Sequence, residues 1–429
     1  MIPNSTLFIL GFLFLYAGLV KYARFTCWRD PTSRFYAPKL AHTPAYSRHR
    51  IYEAKKYAAQ LAEEKPEKPV KTGTPDLCVG ITSVSRDGVA YLKTVLASLN
   101  HGLSPEEQSR VRIVVLLAHT NKTQHPDHDA PWLPLMTDKV VYYDDNADWL
   151  DLATRIEHEN SHPVKHKLDY SIVLEECQKT GAAYTIMAED DVIFLDGWRH
   201  RVMEALDIAT EKAWSSSHRE FLYLRLFWYD QLRGWNAEDW PTYLFWSSLV
   251  AGCVAGALHF TRKAVPTARR TLTRPVCGLV IFVFTPMLIL LYFAAGRNCM
   301  QPQPEGVTLM ERNACCGQGL AFPRSVIENE LLPSFHNNRW SETPADSFIE
   351  DYAQATGGLR YAVTPVIVQH VGGKSSYGAK RGKLGIMTPG KIWNFGFERH
   401  DPDELAREHE RVLEVESMAH DARERDDVL

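Results

Sequence analysis

Three long apolar stretches most constrain the fold of this chain, because each is long enough to cross a lipid bilayer. The first, residues 7–20, reaches about 18 residues with its uncharged flanks, near the lower limit for a membrane-spanning helix. The other two, residues 243–260 and 276–295, are each about 20 residues long. A mean hydropathy of −0.26 hides them, because it averages them with polar sequence.

The second and third stretches predict a membrane hairpin whose connecting loop is cytosolic. The charged residues of that loop, 261–274, are all Arg or Lys, which favours the cytosolic side. Both flanks of the hairpin are then non-cytosolic, so the first stretch has to run as an uncleaved anchor from a cytosolic N-terminus. Lys21, Arg24 and Arg29 favour the opposite orientation, but the basic loop is the stronger signal. The alternative for the first stretch is a cleaved signal peptide. The alternative for the hairpin is a pair of helices buried in a protein core.

Composition narrows the class of protein further. The chain has 429 residues and a formal net charge of −4, which argues against a nucleic-acid partner. Its eight cysteines lack the spacing of a structural zinc site. In an oxidising lumen Cys78 can pair with Cys177, and Cys299 with Cys315 or Cys316. Asn121 begins a glycosylation sequon in the segment predicted to be luminal.

Strands and helices alternate on both sides of the hairpin. The predicted strands before it end in polar residues, and further strands and a helix follow it. This alternation predicts a doubly wound α/β domain that the hairpin interrupts. The predicted parts are an anchor (1–22), a stalk with an exposed helix and a linker (23–76), the first part of the catalytic domain (77–242), the hairpin (243–295), the second part (296–400) and a charged tail, a surface helix or partly disordered (401–429).

An acidic triplet, Glu189-Asp190-Asp191, ends the buried strand predicted at residues 182–187. Adjacent carboxylates repel one another unless a cation or hydrogen-bond donors compensate them, so the triplet suits a divalent metal that carries a phosphorylated ligand. A solvated turn is the alternative. Thr82, Ser83 and Arg86 follow another predicted strand, and in such sheets ligands bind beyond the carboxyl ends of the strands.

His370 ends the last predicted strand, just before Gly-Gly-Lys374-Ser-Ser. If this strand lies beside the acidic one, His370 and Asp191 become ligands of a single metal. A histidine ligand is compatible with Mn²⁺ as readily as with Mg²⁺. An ordinary strand-end histidine is the alternative interpretation.

These segments carry a resemblance to a known family. The strand Ile-Met-Ala-Glu189-Asp190-Asp191-Val-Ile-Phe, the upstream Lys167-Leu-Asp169-Tyr170 and the downstream Gln-His370-Val-Gly resemble nucleotide-sugar glycosyltransferases of the GT-A fold (Rossmann-like). An N-terminal anchor with a hairpin inserted into that domain is similar to the post-GPI-attachment N-acetylgalactosamine (GalNAc) transferases of the Golgi. The resemblance covers most of residues 77–400, and the inserted hairpin is its most discriminating feature.

The resemblance implies metal-dependent, inverting transfer of GalNAc from UDP-GalNAc to the mannose of a GPI-anchor glycan. It also implies a multi-pass Golgi membrane protein whose catalytic domain is luminal and works at the bilayer surface, with Mn²⁺ as the metal. Asp191 and His370 are then the metal ligands. The implied donor-binding residues are Thr82, Arg86, Lys167, Asp169, Glu189, Asp190 and Lys374.

Inversion also requires a carboxylate base for the acceptor hydroxyl. Asp351, on the helix predicted at residues 345–356, is the expected base, and Glu350 is the second candidate; a solvated helix face is the alternative for both. Two other functions fit the same sequence. These are a Golgi N-acetylglucosaminyltransferase acting on N-glycans and a non-catalytic membrane scaffold for GPI-processing enzymes.

Overall fold

A computed structural model describes residues 4–64, 71, 73–217, 219–310, 316–374 and 392–427. The chain forms two units, each made of two separate stretches of sequence. The first unit, Met1–Thr43 and Tyr229–Gln303, holds the three apolar stretches and is called the membrane unit. The second, Pro44–Trp228 and Pro304–Leu429, holds most of the predicted catalytic domain and is called the catalytic unit after that prediction. This arrangement agrees with the predicted α/β domain interrupted by a hairpin.

The membrane unit contains three helical segments that are long and apolar enough to span a bilayer, Thr6–Thr26, Asp230–Ala264 and Arg274–Ala295. In the third segment a π-helical turn, Val280–Phe284, joins two α-helices and places Phe284 against Phe12 of the first. The helices of the unit are Asn4–Thr26, Pro38–Ala41, Trp240–Ala264, Ala268–Thr271, Arg274–Leu279, Thr285–Ala295 and Arg297–Met300.

Hydrogen bonds hold the exit of the first span against the exit of the third. The Ala294 carbonyl accepts from the Arg34 amide (2.8 Å) and the Ser33 hydroxyl (3.2 Å). The buried Asp30 carboxylate accepts from the amides of Thr32 (2.8 Å) and Cys299 (3.0 Å). The two exits therefore lie at the same end of the helical bundle.

The strands of the catalytic unit are β1 Leu77–Ser83, β2 Val111–Leu117, β3 Lys139–Val141, β4 Tyr184–Glu189, β5 Val192–Phe194, β6 Tyr223–Arg225, β7 Gly306–Leu309, β8 Gly319–Pro323, β9 Arg360–Thr364 and β10 Val368–His370. Eight of them form one sheet in the order β3-β2-β1-β4-β8-β6-β9-β7. Strands β1 to β4 are parallel, whereas β8 runs antiparallel to β4 and β6. Because β8 follows the hairpin in sequence but lies between strands that precede it, both parts of the chain complete one sheet.

A disulfide joins the first strand to a helix that covers the sheet. Cys78 of β1 is bonded to Cys177 of the helix His162–Lys179, which confirms that predicted pairing. The predicted pairing of Cys299 with Cys316 is wrong, because the Cys299 sulfur is not bonded to Cys316 and packs in the apolar cluster of Cys27. Cys315, its other predicted partner, lies outside the described residues.

The main helices of the catalytic unit are Tyr46–Glu64, Leu92–Asn100, Pro105–Ser109, Leu133–Met136, Ala147–Glu159, His162–Lys179, Trp198–Ser217, Arg324–Val326, Leu332–Asn337, Ala345–Thr356 and Pro402–Asp427.

The helix Tyr46–Glu64, expected in an exposed stalk, belongs to the catalytic unit instead. It buries one face against the rest of that unit, and its buried Arg50 donates to the carbonyls of Phe194 (3.0 Å) and Ser98 (3.0 Å). The buried residues of the helix recur every three or four positions, so the helix is amphipathic despite its many charges. The buried residues are Tyr46, Ser47, Arg50, Ala54, Ala58 and Leu61.

The C-terminal helix Pro402–Asp427 packs through its first turns on the catalytic unit, where Leu405 and His409 are buried. The Nε2 atom of His409 lies 3.1 Å from Glu107, and its Nδ1 atom lies 3.8 Å from Asp196. The His200 ring lies nearby, with its centroid 5.4 Å from that of His409. Hydrogen bonds to Asp196 and Glu107 raise the pKa of His409 to about 9, although burial opposes this. The imidazolium therefore holds the helix in place.

This contact predicts a pH-dependent loosening of the C-terminal helix. The pKa of His409 is about 9 when folded, against an ordinary value of 6.5, so its contribution is complete below about pH 6.5 and is lost as the pH rises through 9. Hydrogen exchange of residues 402–418 should therefore accelerate between about pH 7 and about pH 10, after correction for intrinsic exchange. In His409→Gln, exchange should be faster at pH 6 and lose this pH dependence; an unchanged profile in the variant would exclude His409 as the cause.

Candidate active site

The acidic triplet lies where β4 turns into β5. Glu189 is the last residue of β4, Asp190 and Asp191 form the turn, and Val192 begins β5. Because β1 runs parallel to β4 with Thr82 in register with Glu189, the residues that follow β1 reach the same edge of the sheet. The predicted convergence of the two strand ends is therefore present.

Three side chains at this edge form a candidate metal site. One ligand atom from each of Glu189, Asp191 and His370 lies within 4.8 Å of the others. His370 reaches the triplet because β10 pairs antiparallel with β5 and sets His370 opposite Val192. Its Nε2 atom is 3.5 Å from Asp191 Oδ2. In the part of the chain that the structure describes, this is the one cluster of three or more His, Cys, Asp or Glu side chains close enough together to share a metal ion.

The donor set fits a divalent cation. His370 is oriented through its Nδ1 atom, which is 3.2 Å from the Ile392 carbonyl; the carbonyl only accepts, so Nδ1 carries the proton and Nε2 is left to bind a metal. Asp191 Oδ1 is buried without a hydrogen-bond partner, which is costly unless something compensates it. Gln318 Nε2 donates to both Glu189 oxygens at 3.2 and 3.1 Å. Carboxylate oxygens with one imidazole nitrogen suit Mn²⁺ or Mg²⁺.

The electrostatics of the three side chains also call for a cation. Burial raises the pKa of Glu189 to about 8, and the charge of Asp191 adds to the shift. Burial likewise disfavours the charged form of Asp191, but the hydrogen bond and charge of His370 outweigh it and lower its pKa. The same pairing raises the pKa of His370 against the effect of its burial. With Glu189 ionised, the site would hold more negative charge than His370 neutralises, so a bound cation would favour the ionised form of Glu189.

Asp190 faces a different set of partners from its two neighbours. Its carboxylate pairs with Arg86 (2.7 Å) and accepts from the Ser83 hydroxyl (2.6 Å), which is 3.1 Å from His125 Nε2. Burial lowers the pKa of His125 to about 4, so the ring is neutral, and its Nδ1 accepts from the Asp127 amide (3.2 Å). Nε2 therefore carries the proton and donates to Ser83, which donates to Asp190. This buried chain fixes Asp190 and, through it, Arg86.

A pocket opens beside this chain of hydrogen bonds. Lys374 lies at its border, where its ammonium donates to the Asp87 carbonyl (2.7 Å) and the amide of Gly373 donates to the Tyr91 hydroxyl (2.9 Å). The pocket carries cationic, aromatic and hydroxyl groups next to the candidate metal site, which is a suitable combination for a nucleotide. Its lining includes Ser85, Arg86, Tyr91, His125, Asp127 and Asp190.

Lys167 and Asp169, expected to contact the donor, bind other parts of the catalytic unit. The Lys167 ammonium donates to the carbonyls of Asn338 (2.8 Å) and Ser341 (2.6 Å), which precede the helix Ala345–Thr356. Asp169 accepts from the hydroxyl of Tyr143 and from the ammonium of Lys165 (3.3 Å). Lys167 therefore acts on the position of the following helix.

The two expected base residues lie on different faces of that helix. Glu350 is enclosed by cations, because it accepts from Arg225 (2.6 Å) and Arg360 (3.0 Å) and from the hydroxyl of Tyr223. Asp351 is exposed to solvent. Both oxygens of Glu350 are thus occupied by arginine donors, which leaves neither free to accept a proton from a substrate, and the exposed Asp351 lacks a contact with the metal site.

A third carboxylate of the same helix, Asp346, adjoins the metal site and was overlooked in the sequence. A Cβ atom built on Gly317 would be 3.4 Å from Asp346 Cβ and 3.7 Å from Glu189 Oε1, so both acids flank this glycine. The charge of Asp346 also contributes to the raised pKa of Glu189. The four-residue spacing of the buried apolar residues Ala345, Ile349 and Ala353 marks the inward face of the helix, and Asp346 borders that face. This spacing was the available signal.

Gly372 is required for the close approach of Asp191, which leads to a prediction. A Cβ atom at residue 372 would lie 2.1 Å from Asp191 Oδ2, a severe overlap. Gly372→Ala should therefore displace Asp191 or His370 and lower kcat about 100-fold, as misplacement by about 1 Å can do. Gly234→Ala is the control, since its new contacts are ordinary at 3.9 Å and involve none of the site residues. Equal activities of the two variants would contradict the close packing assigned to Gly372.

A mostly parallel sheet with an acidic cluster at the carboxyl ends of its strands, combined with membrane-spanning helices, defines a GT-A-type glycosyltransferase of the membrane. The model of the family described as GPI-N-acetylgalactosamine transferase PGAP4 matches residues 77–369, more than half of the chain. The chain belongs to this family, and the resemblance predicted from the sequence is confirmed. A search of curated proteins found no match.

Proposed function

We propose that the protein transfers GalNAc from UDP-GalNAc to the mannose of a GPI-anchor glycan, with inversion at the sugar carbon. The observation that carries the proposal is the group Glu189, Asp191 and His370, which adjoins the pocket at the carboxyl edge of the sheet. These three residues would hold Mn²⁺, with Mg²⁺ as the alternative ion. Membership of the family supplies the GPI glycan as the acceptor.

The donor diphosphate would lie between the metal ligands and the pocket. A bound divalent cation would neutralise the negative charge that grows on UDP as the sugar–phosphate bond breaks. Arg86 and Lys374 add positive charge at the pocket, and Thr82 lies at the strand end beside Glu189. Asp190 serves this site indirectly, because it fixes the guanidinium of Arg86 (2.7 Å).

Asp346 is the proposed base that removes the proton of the acceptor hydroxyl, in place of Asp351 and Glu350. It adjoins Glu189 across Gly317, whereas Glu350 is neutralised by two arginines and Asp351 faces solvent. Lys167 is a proposed positioning residue, since it anchors the turn that leads to Asp346. His166 is a second proposed positioning residue, because its Nδ1 atom accepts a hydrogen bond from the amide of Ala345 (3.3 Å), the residue before Asp346.

The catalytic unit is proposed to lie in the Golgi lumen. The first and third spans exit at the same end of the bundle. The basic loop 261–274 connects the two hairpin helices at the opposite end. A cytosolic basic loop then places both exits in the lumen. The inserted hairpin would tether the catalytic unit to the membrane that carries a lipid-anchored glycan, which raises the effective concentration of that acceptor.

The proposal is tested by incubating the purified full-length protein with a panel of UDP-sugars, with Mn²⁺ or EDTA. The acceptors are a GPI glycan and an N-glycan glycopeptide, and transferred sugar is measured by mass spectrometry. GalNAc on the GPI glycan, formed with Mn²⁺ and absent in EDTA, is the expected result. N-acetylglucosamine on the glycopeptide would identify the alternative transferase, and absence of transfer from every donor would favour the scaffold.

A further inference from the structure

Two cysteines lie together where the first and third membrane spans exit. Cys27 directly follows the helix Asn4–Thr26, and Cys299 is in the short helix Arg297–Met300. Both belong to one apolar cluster that includes Leu291 of the third span. In this cluster Cys27 is only 2% exposed.

Asp30 links the backbones of the two cysteines. Its amide donates to the Cys27 carbonyl (3.2 Å), and its carboxylate accepts from the Cys299 amide (3.0 Å). The thiols themselves are hydrogen-bonded to each other; burial and this bond to Cys27 raise the pKa of Cys299. The two sulfur atoms therefore face each other in a confined, largely apolar space.

We infer that Cys27 and Cys299 form a disulfide that fastens the exit of the first span to the exit of the third. The inference rests on the luminal orientation in the proposed function, because disulfides persist in an oxidising compartment. The same chain already carries the Cys78–Cys177 disulfide in its catalytic unit. The reaction is thiol–disulfide exchange: both thiols lose their hydrogens, a sulfur–sulfur bond forms between them, and the oxidant, a protein disulfide of the secretory pathway, is reduced to a dithiol.

The remaining free thiols of the described residues do not compete for this bond. Cys253 lies in the middle of the helix Trp240–Ala264, and Cys277 lies near the basic loop, where it accepts from Arg262 (3.7 Å). Since burial keeps the Cys299 thiol protonated, exchange is fastest while the exit segments are still open during folding. Once closed, the apolar cluster shields the bond from reduction.

Peptide mapping under non-reducing conditions tests the inference. The full-length protein is made in a eukaryotic secretory pathway, solubilised with N-ethylmaleimide present, digested with trypsin and analysed by mass spectrometry. The expected species is a cross-link between peptide 25–29 and peptide 298–312, lighter than the two thiol peptides together by two hydrogen atoms and separated by reduction. Recovery of both peptides as N-ethylmaleimide adducts, or of Cys299 linked to another cysteine, would overturn the inference.

Two further measurements make the result specific. Cys27→Ser and Cys299→Ser should lower the melting temperature equally, and the double variant should lower it no further; additive losses would contradict a shared bond. Cys253→Ser is the matched control and should leave both the cross-link and the melting temperature unchanged. Protease protection of a C-terminal epitope in intact microsomes reports the orientation of the protein separately. If the epitope is protected but both thiols are free, the disulfide is refuted. That result would leave the proposed transferase activity untouched.

Discussion

Replacing Asp191 with Asn is expected to reduce GalNAc transfer about 1,000-fold or more. The amide keeps the shape of the side chain but removes the charge, and metal stabilisation of a developing anion is worth several kcal/mol, where each 1.36 kcal/mol is a factor of ten. The loss in kcat/KM should be largest at low Mn²⁺ concentration, because Glu189 and His370 alone would hold the ion weakly. Initial rates with UDP-GalNAc and a GPI glycan measure it.

The control for this variant is Asp351→Asn, which removes an exposed carboxylate from the same catalytic unit. It should retain activity within about twofold of the native protein, as surface substitutions usually do. Both variants should keep the melting temperature of the metal-free protein within a few degrees. If Asp191→Asn retained more than about a tenth of the native activity, Asp191 would not be an essential metal ligand.

Replacing Asp346 with Asn should have the second largest effect, a loss of about 100- to 10,000-fold in kcat, the usual contribution of a general base. Since the base acts on the acceptor hydroxyl, binding of UDP-GalNAc should change little. Steady-state kinetics together with donor-binding measurements separate the two effects. Asp351→Asn again serves as the control, because it lies on the same helix at the solvent-exposed face.

A comparison of the two helix variants decides which carboxylate is the base. Full activity of Asp346→Asn combined with a large loss in Asp351→Asn would return the assignment to Asp351. Glu350→Gln is expected to act differently from both, since it removes the charge that pairs with the buried Arg225 and should lower the melting temperature. If Glu350→Gln instead lowered activity without lowering the melting temperature, the assignment of the base would return to Glu350.

Much of the site was predictable because the relevant signals are local in sequence. The apolar run of β4 stops at Glu189, and the strand β10 stops at His370, so both residues had to lie at strand ends. The parallel register of β1 and β4 then brings Thr82 beside Glu189, as expected for a doubly wound sheet. The membrane segments were equally local, since length and charge define them.

Other features depend on tertiary contacts that no local pattern specifies. Lys167 has the appearance of a phosphate ligand in the sequence, yet its partners at residues 338 and 341 are far away along the chain. Asp346 and Asp351 are alike as sequence, and only the side on which the helix packs distinguishes them. The helix Tyr46–Glu64 was assigned to a stalk because its charges concealed its buried face.

Binding of UDP-GalNAc to the purified protein, measured by calorimetry with Mn²⁺ and with EDTA, tests the central claim most directly. If Glu189, Asp191 and His370 hold a cation that carries the donor diphosphate, binding should be strong with Mn²⁺ and at least about tenfold weaker in EDTA or in Asp191→Asn. Equal affinity with and without the metal would contradict the site assigned to these three residues.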